Sequence, residues 1–108
     1  MTAAELDFIG DLAGDDHRVW EAFAFVRLHS PQLTDEQVFA AGRRFLADWA
    51  FRGWITATDL SCTSLSPEAF LQTIDRLEIA ALDPEHGSDC NLSLTARARQ
   101  EVPWLSTP

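Results

Sequence analysis

The chain has 108 residues and carries seventeen acidic side chains against eight arginines and no lysine, a formal charge of −9. That length fits one domain able to bury a real core, and the charge argues against nucleic acid and anionic membranes, both of which are recognised through Lys and Arg. No run approaches eighteen apolar residues, and the first eleven residues hold three acids and no basic side chain; a membrane span and a secretory leader are therefore not expected, and a bacterial cytoplasmic protein is.

Thr2-Ala3-Ala4-Glu5 has the form of a capping box, in which a side-chain oxygen and a glutamate satisfy backbone N–H groups at a helix start. Leu6, Ile9 and Ala13 follow as one stripe with Phe8 and Leu12 beside it, and Gly14 ends the helix. Asp15 and Asp16 are expected to open a second helix, where carboxylates meet the positive end of the dipole. Its buried face should be Val19, Trp20, Phe23 and Val26, widened by Phe25 and Leu28, until Ser30-Pro31 breaks it. His17 falls in the first turn and His29 at the end.

Thr34-Asp35-Glu36-Gln37 is a second capping box. Val38, Ala41, Gly42, Phe45, Leu46 and Trp49 keep helical spacing after it, which predicts one continuous helix to Arg52 with Gly53 as its C-terminal cap. Trp54-Ile55-Thr56-Ala57-Thr58 is β-branched and aromatic and predicts a strand. Ser66-Pro67 opens a further helix carrying Phe70, Leu71, Ile74, Leu77 and Ala81. An acidic turn-rich loop follows. Asn91–Leu94 is the expected antiparallel partner of the first strand, and Thr95 caps a short helix that Pro103 ends. The fold class is α+β and mostly α: four to five helices, a small two-stranded antiparallel element, and a single domain over 1–108.

Arg52-Gly53-Trp54-Ile55 resembles the helix–glycine–strand passage after the recognition helix of winged-helix regulators of the MarR and PadR type. Leu92-Ser93-Leu94-Thr95-Ala96-Arg97-Ala98-Arg99 resembles their returning wing strand, usually L-T-x-x-G-R, with Ala98 at the usual glycine. The resemblance covers about half the chain and implies a winged-helix-like fold. A recognition helix, however, follows a turn and enters the major groove. Here Thr34 to Arg52 reads as unbroken helix, Arg43, Arg44 and Arg52 are offset by Asp35, Glu36 and Asp48, and a helical segment separates the two strands.

No nucleophile elbow, phosphate loop or dinucleotide fingerprint is present, so no catalytic residue is expected. His86, Cys90 and Cys62, with Asp83 or Asp89, lack the paired spacing of a structural zinc site. The expectation is therefore no metal, no cofactor and reduced cysteines. Two acidic groups stand out as partner-binding candidates: Asp7, Asp11, Asp15 and Asp16 in one, Asp83, Glu85 and Asp89 in the other. Trp104 is a third candidate, since a large aromatic must dock on the domain or serve an interface. The leading expectation is a non-catalytic module, such as an immunity or inhibitor protein, that masks a basic protein partner. The runner-up is a winged-helix regulator binding DNA as a homodimer.

Overall fold

The computed structural model describes residues 1–59, 61, 63–85 and 90–106. Among these residues there are five α-helices and one small antiparallel sheet. α1 spans Ala3–Gly14, and Thr2 caps it by accepting the Glu5 N–H at 3.2 Å. Ala4, Phe8, Ile9 and Leu12 form its buried face, which leaves Leu6 outside the stripe expected of it.

After Gly14 the chain does not enter the next helix directly. Asp15 and Asp16 lie in an extended link, and His17–Arg18 form a short strand, β1. α2 then runs Val19–His29, with the Glu21 carboxylate reaching back to accept the Arg18 N–H at 3.0 Å. The aspartates thus do not cap α2, and His17 belongs to the sheet. A two-residue strand has no periodicity for a sequence reading to detect.

α3, Asp35–Phe51, is one uninterrupted helix, as its spacing predicts. Both halves of its capping box form: Gln37 N–H donates to Thr34 Oγ1 and Thr34 N–H to Gln37 Oε1. Gly53 follows the helix at φ +73°, the left-handed conformation that favours glycine. Gly42 lies where α2 and α3 cross. A Cβ placed there would come within 2.6 Å of Phe23 Cε1, so only glycine admits this approach.

β2, Ile55–Thr58, pairs antiparallel with β3, Asn91–Leu94, in the register Ile55 to Leu94 and Thr58 to Asn91. β1 pairs with the other edge of β3, His17 opposite Leu92. The sheet therefore has three strands in the order β1-β3-β2, one more than the sequence discloses. The chain passes from α3 through Gly53 into β2 and returns along β3 as its antiparallel neighbour.

α4, Pro67–Asp75, starts on the Ser66 cap but stops six residues short of the expected Ala81. A 3-10 turn, Ile79–Leu82, replaces its last part. That turn packs on α2 and α3 and buries Ala81, a placement a straight helix leaving α3 along α4 would miss. α5, Ala96–Glu101, is capped by Thr95, whose hydroxyl accepts the Ala98 N–H at 3.2 Å and donates to the Gly53 carbonyl at 2.6 Å. A second 3-10 turn, Pro103–Ser106, follows.

The core lies between the inner faces of α1, α2 and α3 and one face of the sheet. Trp49 is its largest fully buried side chain, stacked with Phe8 at 6.1 Å and packed on Phe45 at 4.8 Å. Among the described residues no helix is long and apolar enough to cross a membrane.

Candidate partner-binding surface

α2 packs one side into the core and carries an apolar strip on its outward side. Val19, Ala22, Phe23 and Val26 point into the core. At 100° per residue, Trp20, Ala24 and Leu28 recur one turn apart on the opposite side. Trp20, expected in the core, is half-buried at the edge of this strip; Ala24 is exposed, and Leu28 is 70% exposed. The sequence pattern showed that α2 is apolar on more than one side, but spacing alone does not say which side faces inward.

Each flank of the strip is built by a different element. On one side lies α1. Its Asp7 Oδ2 stands 2.8 Å from His29 Nε2 on α2, and its Asp11 Oδ2 lies 3.6 Å from His17 Nε2. His17 also meets Glu21 through Nδ1, so a carboxylate faces each nitrogen of its ring. The ring is mostly buried and sits edge-on to Phe25. Beside it, Trp20, Ala24, Phe25 and Leu28 line a shallow and almost wholly apolar groove.

On the other side lies the first 3-10 turn. Leu82, Asp83 and Pro84 share a second groove with Trp20, Ala24 and Arg27. Asp83 Oδ1 accepts the Glu85 N–H at 2.9 Å, and both side chains are exposed. Arg27, the cation on this flank, is held by Asp35 and donates to the Leu33 carbonyl at 2.8 Å.

The structure thus brings the two acidic groups to the two sides of one helix. Asp7 and Asp11 border α2 from α1, and Asp83 borders it just after the 3-10 turn, with Glu85 two residues on. Asp15 and Asp16 are exposed in the link before β1, the Asp15 carboxylate accepting the Asp16 N–H at 2.8 Å. Asp89 lies outside the described residues, as do Cys62 and His86. Trp104 docks: its ring edge lies 3.9 Å from where a Cβ on Gly10 of α1 would be, and 47% of it stays exposed. Cys90 is buried. Among the described residues no three His, Cys, Asp or Glu side chains converge as a metal site would.

The flank of α3 that would have to meet DNA is built differently. α4 packs along α3, and the groove between them is lined by Ala40, Arg43, Arg44, Leu71 and Asp75. The Arg43 guanidinium lies 5.3 Å over the Phe39 ring and 3.5 Å from the Asp75 carbonyl. Further along α3, Asp48 pairs with Arg52 at 3.0 Å. Acids are interleaved with the arginines along this face.

A third cluster joins α5 to β2. Trp54 donates its indole N–H to Glu101 at 2.6 Å, Arg52 lies 5.1 Å over the Trp54 ring, and Arg97 is 3.4 Å from Glu101. The Trp54 hydrogen bond and the nearby arginines hold the Glu101 carboxyl below its ordinary range.

Compared with known proteins, the chain matches no family model, and no curated protein or solved structure is significantly similar to it.

Proposed function

We propose that this chain is a cytoplasmic, non-catalytic binding module whose partner is a basic protein, of the kind that an immunity or inhibitor protein masks. One observation carries the reading: two acidic groups distant in sequence flank the same apolar helix face. A basic partner gains twice from this arrangement. Long-range attraction to the acidic surface speeds encounter, and the apolar strip supplies area to bury once contact is made. The net charge of −9 acts in the same direction.

The DNA-binding reading has less support. α4 occupies a flank of α3, and the α3 arginines are interleaved with Asp48 and Asp75. Non-specific DNA binding alone requires several phosphate contacts, and tightness follows their number.

The test begins with a partner recovered from native lysate and follows its association rate against salt. The expected result is a steep fall in on-rate with salt, and slower association for the double reversal Asp11→Lys and Asp83→Lys at unchanged stability, because exposed charges contribute little to folding. A rate indifferent to both overturns the proposal. Binding to random-sequence duplex tighter than about 1 μM at about 150 mM salt would establish the regulator reading instead.

A further inference from the structure

We infer that the outer face of α2 is a seat for an amphipathic helix of the partner, one with an apolar stripe bordered on both sides by Arg or Lys; this rests on the reading of a basic protein partner. The seat has three parts. Trp20, Ala24 and Leu28 run along α2 at one-turn intervals and span about 12 Å, about two turns of a helix laid against them. Ala24, the small residue at the centre, leaves a depression between two large side chains, with Phe25 forming one wall. An apolar ridge therefore has somewhere to enter, as in the packing of ridges into grooves. Trp20 borders the grooves on both sides of the strip, which gives it the place of an anchor.

The flanks decide the chemistry of the occupant. Asp7, Asp11 and Glu21 stand along one side and Asp83 along the other. A helix carrying cations on both borders of its stripe meets Asp7, Asp11 and Glu21 on one side, and on the other Asp83 beside Arg27, whose charge Asp35 already offsets. A strand partner would leave its backbone groups unpaired here, because the seat is a helix face and offers no sheet edge. A second copy of this chain would bring acidic borders against acidic borders, with −9 on each molecule. Duplex DNA gains nothing from an apolar strip lined by carboxylates.

The test uses a labelled helix-forming peptide of about 18 residues with leucines at one-turn spacing and arginines on both adjoining faces. Its control is an isomer of identical composition with the leucines dispersed around the helix. Both are titrated against the full chain by fluorescence anisotropy. The expected result is that the striped peptide binds at least about tenfold more tightly than its isomer, about 1.4 kcal/mol. Leu28→Glu should remove that preference while leaving the circular dichroism spectrum and unfolding midpoint unchanged. Equal affinity of the striped peptide for wild type and for both Leu28→Glu and Ala24→Glu overturns the inference. If binding is still salt-dependent and weakened by the Asp11→Lys and Asp83→Lys pair, the basic-partner reading survives that failure. If neither peptide binds with any dependence on salt, both fall. Sedimentation equilibrium showing a dimer that Leu28→Glu dissociates would assign the face to a second copy, and so also overturns it.

Discussion

α2 and α3 are neighbours that share one core, yet they meet their surroundings in opposite ways. α3 has α4 packed along one flank, where Phe70 and Ile74 are buried, so the apolar positions on that flank are covered from within the chain, and only Phe51 in its last turn, 81% exposed, is left in water as a single side chain rather than a strip. α2 has α1 and the first 3-10 turn at its sides and, among the described residues, no element packed over its outer strip. A covered apolar flank contributes to stability; an uncovered one contributes only when a partner arrives. Fully burying a leucine is worth about 1.5–3 kcal/mol, so Leu28 left in water is an unused contribution of roughly that size. The contrast locates the binding proposal on α2 and separates it from α3, where charge is distributed without a sign preference.

The first way to break the contrast is to remove what the two helices share. Trp49→Ala should cost about 3–5 kcal/mol in denaturant titration, because it empties a fully buried site between Phe8 and Phe45. A loss below about 1 kcal/mol would mean that the two faces stand on independent supports. A sharper probe is the crossing itself. Gly42→Ala pushes a methyl against the Phe23 ring and should cost about 1–3 kcal/mol as overpacking. The same change should also displace α2, and with it the outer strip, so peptide affinity should fall along with stability. Combining it with Phe23→Leu should recover part of both in a double-mutant cycle.

A third substitution separates the faces. Leu28→Glu on α2 and Arg44→Glu on α3 should each leave stability within about 0.5 kcal/mol, as exposed positions do. Only the first should weaken the striped peptide. The smallest effect belongs to neither helix. Because the Glu101 carboxyl titrates below its ordinary range in the folded chain, its contribution is complete above the unfolded pKa of about 4.3 and drains away as pH falls through the lower folded value. Unfolding midpoints of wild type and Glu101→Gln should therefore draw together in acid, and a gap constant from pH 7 to about pH 3 would contradict this.

Much of this architecture is legible in local chemistry. The two capping boxes, Ser66-Pro67 and Gly53 mark helix ends because each satisfies or avoids a particular backbone group within a few residues. What is not legible is set at long range. β1 exists because β3 arrives beside His17, more than seventy positions later. α4 gives way to a 3-10 turn because Ala81 is drawn against α2 and α3. The partner-binding candidates follow the same rule. Sequence proximity grouped Asp15 with Asp7, whereas the fold sets Asp7 and Asp11 across α2 from Asp83, and the apolar strip between them shows only once α2 is oriented. Arg43 and Arg44 are adjacent in sequence, but α4 alongside α3 determines what they can reach.

The sheet order has a consequence for how the molecule assembles. β3 is the central strand, and both edge strands precede it in the chain. Until residues 91–94 are in place, β1 has no sheet neighbour and β2 has only the short bridge to Ser64 and Leu65, so the edge of β2 that pairs with β3 stays open. α2, α3 and their crossing are by contrast local enough to form early. Folding should therefore proceed with a helical subassembly closing first and the sheet last, its rate governed by the long loops that β3 must close. In the interval, the β3-facing edge of β2 is open to other chains, and misassembly, if it occurs, should begin there.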